Sequence, residues 1–187
     1  EKILDGTNTI SQNLEYANAK SEVIELRKKL ADNINISFEN QILLSRDKNK
    51  TIILSLAKNP NLSLKAQKIL ASKEDSDINR LLARNSNLYL DIQLKLAESK
   101  DLWVRRWLAR NQNTSLEVQL LLAKDNNFWV RIDLAENIKI FLVCQSILAN
   151  DEDEKVRINL SRNIGLMKEI QEILVYDLNF KVRRELA

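Results

Sequence analysis

The residues whose types and spacing could do chemistry are three tryptophans, one carboxylate and a set of basic side chains. Trp103 and Trp107 stand one helical turn apart, and Trp129 and Asp133 repeat that spacing further along. Around them fall Arg80, Arg84, Arg106, Arg110, Lys155, Arg162 and Arg184. Indole rings stack on nucleic-acid bases and attract cations, while lysine and arginine neutralise phosphates. A carboxylate beside such rings would stabilise a cation as it develops. This set suits a polyanion with flat groups, or a positively charged base.

The remaining composition excludes most other chemistry. There is no histidine and one cysteine, Cys144, so histidine acid–base catalysis, Cys/His zinc sites, cysteine-ligated iron–sulfur clusters and an intrachain disulfide are all excluded. No metal and no cofactor is expected. Two glycines and one proline argue against Gly-rich phosphate loops and turn-dense all-β folds. The longest apolar run, Ile140 to Cys144, is far too short to span a bilayer. With 29 Lys+Arg against 26 Asp+Glu, the net charge is +3. Together these predict a cytoplasmic, monomeric protein with no membrane association. The chain lacks an initiator Met and stops two residues into a repeat, which predicts a fragment of something longer.

The elements that must position these residues come from an internal repeat. Leu-Ala-x-Asn opens at Leu30, Leu56, Leu82, Leu108 and Leu134, and at Leu160 with Ser161 for Ala, always 26 residues apart. Leu186-Ala187 starts a seventh copy. Asn33, Asn59, Asn85, Asn111, Asn137 and Asn163 share one position of the repeat. Gln41, Gln67, Gln93, Gln119, Gln145 and Gln171 share a second. Leucines from Leu44 to Leu174 hold a third, and β-branched residues from Ile52 to Val182 a fourth. Residues 1–29 read as a degenerate N-terminal cap, since Leu26-Arg27 falls one period before Ile52-Ile53. The six copies are 30–55, 56–81, 82–107, 108–133, 134–159 and 160–185.

Each copy reads as two short helices. In 115–124, Ser115 is an N-cap, Glu117 lies in the first turn, and Leu116, Leu120 and Leu121 recur at helical spacing. Ser37 and Ser63 take the same capping position. A polar turn leads to a second helix, such as Trp-Val-Arg-x-x-Leu-Ala-x-Asn. The closing Asn is expected to end it in left-handed backbone. Neither helix could bury its apolar stripe alone, so neighbours must stack into a solenoid.

Leu-Ala-x-Asn-Pro-Asn at 56–61 and Asp-x-x-x-x-Val-Arg at 125–131 and 151–157 resemble the leucine-rich repeat variant family, bacterial relatives of HEAT-like α-solenoids. The resemblance spans residues 30–187. It implies a right-handed superhelix of paired helices that serves as a binding scaffold. A family member carries a cysteine-ligated iron–sulfur domain, and this chain lacks the cysteines for one. Trp129 and Asp133 are also similar to a Trp/Asp spacing in the HEAT-like alkylpurine DNA glycosylases. That second resemblance makes Asp133 a candidate catalytic residue, with Trp103, Trp107 and Trp129 holding a cationic damaged base.

In the second helices, four positions point away from the core and carry nine basic residues against four acidic ones. The acidic residues gather instead at first-helix starts and in turns. This separation of sign marks the second-helix face as the working surface of a non-enzymatic scaffold for nucleic acid or acidic protein, with the glycosylase as the alternative. A structural role competes at each position, because large aromatics also fill helix interfaces. Arg105, Arg131, Arg157 and Arg183 are expected to lock repeats together through Asp101, Asp125, Asp151 and Asp153. The Asn and Gln series are read as side-chain-to-backbone ties, and Cys144 as a core residue.

Overall fold

The structure, a computed structural model, describes residues 6–187, with side chains from Asn13 onward. Residues 1–5, the start of the expected cap, lie outside the described residues. The described residues form 14 α-helices and no strand, in two compact units that divide between Tyr89 and Leu90. The first unit holds α1 (Gly6–Lys20), α2 (Ile24–Ala31), α3 (Phe38–Ser45), α4 (Lys50–Ala57), α5 (Leu64–Ala71) and α6 (Ser76–Ala83). The second holds α7 (Leu90–Ala97), α8 (Leu102–Arg110), α9 (Leu116–Leu122), α10 (Phe128–Ala135), α11 (Leu142–Ala149), α12 (Glu154–Ser161), α13 (Lys168–Leu174) and α14 (Phe180–Arg184). This is an α-solenoid-like helical repeat. No described helix is long and apolar enough to cross a membrane.

Most of these helices have only seven to nine residues, whereas an isolated helix needs about 12–15 to be even marginally stable. Packing supplies what length does not. In each unit the odd-numbered helices stack on one another, the even-numbered ones do the same, and the two rows share a core. The repeat positions fill that core. Leu44, Ile52, Leu56, Leu70 and Leu82 are fully buried in the first unit, as are Leu108, Leu122, Leu134, Leu148, Leu160 and Leu174 in the second. Each such side chain contributes about 1.5–3 kcal/mol by leaving water. Cys144 belongs to the same core, and burial pushes its thiol up to about 11.

Side-chain caps define where helices begin. Asn49, Asp75, Asp101, Asn127, Asp153 and Asn179 each accept the backbone N–H two residues on, opening α4, α6, α8, α10, α12 and α14. Ser63 and Ser115 cap α5 and α9 as expected, but Ser37 makes no capping bond at α3. The closing asparagines do not take left-handed backbone. Among the described residues only Glu74 has a positive φ. Instead each Asn Oδ1 accepts the N–H two residues later, as Asn59 does from Asn61 and Asn137 from Lys139, and folds the chain by an Asx turn. The amide nitrogen is then free to reach back one period. Asn59 donates to the Asn33 carbonyl at 2.8 Å, Asn85 to Asn59 at 2.8 Å, and Asn163 to Asn137 at 2.9 Å.

The glutamines reach forward. Buried Gln119 accepts the Phe141 N–H at 3.0 Å and donates to the Lys139 carbonyl at 3.2 Å. Gln41, Gln67, Gln93 and Gln145 make the equivalent pairs of bonds. The arginine expectation needs one correction. Arg105, Arg131 and Arg157 pair with Asp125, Asp151 and Asp177, each at 2.6 Å, and each also donates to a carbonyl of its own turn. Asp101 and Asp153 serve as helix caps instead, because the guanidinium reaches the turn of the following copy and not its helix start. Arg27 makes the same arrangement with Asp47 and the Ser21 carbonyl, so the residues before Leu30 follow the repeat's bonding.

Candidate macromolecular interface

The proposed binding residues divide between the two units. Arg80 on α6 and Arg84 just past its end belong to the first unit, where Arg84 lines an open depression with Lys58, Leu81 and Asn85. The remaining nine belong to the second unit, and there the structure brings most of them together on α8, α10, α12 and α14.

Asp133 organises the cluster. Its carboxylate is 1% exposed, buried below the surface and not on it, so it needs partners to offset the loss of water. It has two. Arg106 grips both its oxygens, at 2.6 and 3.3 Å, and Arg110 reaches Oδ1 at 2.7 Å. These bonds fix the Arg106 guanidinium so that its carbon lies 4.6 Å from the Trp103 ring centre and 5.4 Å from that of Trp129. Arg110 lies 5.3 Å from the Trp107 ring. A cation fixed by a buried anion and shared between two indoles is a pre-organised cation–π arrangement.

Trp103 and Trp129 remain 46% and 44% exposed, while Trp107 is half-buried. Phe128, which the sequence did not single out, packs on Trp129 with ring centres 4.7 Å apart and carries Lys155 Nζ at 5.4 Å. Its position next to Trp129 at the start of α10 was the available signal. Further along, Arg162 and Arg184 both pair with Glu185, at 2.9 and 3.2 Å. Their hydrogen bonds hold the Glu185 carboxyl well down, to about 2. Lys155 and Lys181 are exposed beside these pairs.

The arrangement offers two oriented, half-open aromatic surfaces with cations next to them. Arg106 lies against both of those rings, and the Asp133 carboxylate is engaged by two arginines. Compared with known proteins, the chain matches no family model and no curated protein.

Proposed function

We propose that the chain is a right-handed α-solenoid of six 26-residue repeats related to the leucine-rich repeat variant family, acting as a non-enzymatic scaffold. Its partner is nucleic acid, bound on the second-helix face of the C-terminal unit, in the reducing cytoplasm that a single buried cysteine suits. The observation that carries this reading is the Trp103–Arg106–Trp129 stack. Two indoles are held in place yet left nearly half open, which is costly unless something covers them. Unpaired bases stack on such rings, and Lys155, Lys181 and the arginines would meet phosphates. A second reading, an acidic protein segment, draws support from exposed Lys155 and Lys181 standing beside half-open aromatic surface, since large aromatics commonly anchor protein interfaces.

Fluorescence-anisotropy titration of labelled single- and double-stranded DNA at about 50 and 200 mM salt tests this, since phosphate contacts weaken steeply over that range. Salt-sensitive binding with quenched Trp emission is expected. Trp103→Ala and Trp129→Ala should each weaken it by about 1–3 kcal/mol, the worth of one stacked base. Both are exposed, so the fold should survive. Arg106→Ala is a poorer probe because it strips a partner from buried Asp133. Absence of binding at low salt would discard the nucleic-acid reading and leave the acidic protein.

A further inference from the structure

The even-numbered helices of the C-terminal unit present one row of side chains whose chemistry changes along its length. The second residue of each helix is Trp103 in α8, Trp129 in α10, Lys155 in α12 and Lys181 in α14. Each gives its backbone N–H to the capping side chain two residues earlier, that of Asp101, Asn127, Asp153 or Asn179. The four side chains therefore leave the same point of successive stacked helices, and all four are exposed. Packed helices lie about 8–10 Å apart, and Arg106 keeps the two indole centres within about 10 Å of each other. Phe128 carries the row on, packing against Trp129 and lying under Lys155 Nζ. Among the described residues Lys155 and Lys181 make no ion pair, whereas Arg106, Arg110, Arg162 and Arg184 share Asp133 and Glu185. Glu154, next to Lys155, is taken up by the Asn179 amide.

We propose that this row takes one unpaired nucleic-acid strand lengthwise, with bases on the α8–α10 rings and phosphates on the α12–α14 lysines, a placement that rests on nucleic acid being the partner. In a duplex each base face is covered by its neighbours, so the indoles can stack only on unpaired bases. A lysine meets a phosphate as a point charge, whatever base the nucleotide carries. The two halves of the strand are then unequal. The half on the rings needs its bases, and the half on the lysines needs only its backbone. Four helices in a row span about 24–30 Å, the length of about eight nucleotides at 3.4 Å each. In the first unit the same helix position holds Thr51 and Asp77, so the pattern belongs to the C-terminal unit alone.

Anisotropy titration of the whole chain with three labelled strands of about eight nucleotides tests the placement. One strand is thymidine throughout, and the other two carry abasic sites in the 5′ half or in the 3′ half. One half-abasic strand should bind like the intact strand, and the other about tenfold or more weakly, as the loss of stacked bases requires. Lys155→Ala and Lys181→Ala should each reduce the slope of log affinity against log salt by about 0.7, the share of one phosphate on a single strand. Trp103→Ala should lower affinity at an unchanged slope. All three positions are exposed, and an unchanged helical spectrum checks that each variant folds. Half-abasic strands that bind equally, or a slope that neither lysine alters, overturn the placement and leave nucleic acid as the partner. A duplex that binds as tightly as the strand does the same. If the intact strand does not bind at about 50 mM salt, the placement and the nucleic-acid reading fall together, and binding of an acidic peptide in its stead points to the other class of partner.

Discussion

Gly165 occupies a position that elsewhere in the repeat holds Asn35, Asn61, Asn87, Asn113 and Lys139. Here the chain runs so close to the preceding copy that a Cβ would collide with the Ile138 carbonyl oxygen, a backbone atom that cannot swing aside. The φ angle is not positive, so the requirement is for space and not for a left-handed backbone. The same loop gives its N–H to Asn163 and its carbonyl to Gln145. Gly165→Ala should therefore destabilise the protein by about 1–3 kcal/mol, the usual cost of overpacking, measured by urea unfolding at unchanged m-value. At this scale the sequence told less than it did about the fold. Trp103, Trp107 and Trp129 could be placed on one helix face from their spacing. The burial of Asp133 could not, because nothing in its own helix says that two arginines from α8 will close over it.

Helices this short are held by what their neighbours give them, and the glutamines show how. Gln119, within α9, completes the backbone of the loop that leads into α11 by accepting from Phe141 and donating to Lys139. Gln119→Leu keeps the apolar volume but strands one N–H and one carbonyl in a part-buried site. Each stranded group should cost about 1–3 kcal/mol. Amide exchange at Phe141 should accelerate more than at Ala109, whose helix lies outside that loop. Equal acceleration at both would mean that the bond does not act locally. The element scale was the most legible. The stretch 115–124 announces a helix by its cap, first-turn acid and leucine spacing, and α9 runs Leu116–Leu122. The asparagines were recognised as helix terminators, but their mechanism was not. The choice between left-handed backbone and an Asx turn depends on the carbonyl of the preceding copy, which a local reading does not include.

Across the molecule, carboxylates carry much of the electrostatic stability. Lys50 holds Asp75 below its ordinary value. Burial pushes the Asp177 carboxyl up, but the Arg157 guanidinium, the Asn179 N–H and the charge of Arg183 outweigh it and bring it down. Glu185 falls from 4.5 to about 2. A carboxyl whose folded value lies below its unfolded one stabilises the fold only while ionised. That contribution is complete above the ordinary carboxylate range and drains away as pH falls through the folded values. The melting temperature should therefore stay level down to about pH 5 and decline between about pH 4.5 and 2. Asp177→Asn should lower it at neutral pH and flatten that decline. A decline of unchanged steepness would show that Asp177 contributes nothing to it.

The asparagine and glutamine ties have a bearing on how such a chain can change over time. Each reaches a fixed distance along the sequence, 26 residues back or 20 and 22 forward, and each is anchored on backbone atoms that any copy provides. An in-frame duplication or loss of one whole period would thus find its bonding partners already in place. A slip of one residue would misalign all three kinds of tie at once. Growth by copying is open to this architecture, and growth by small insertion inside a period is closed to it, so lineages carrying it should differ in length by whole periods.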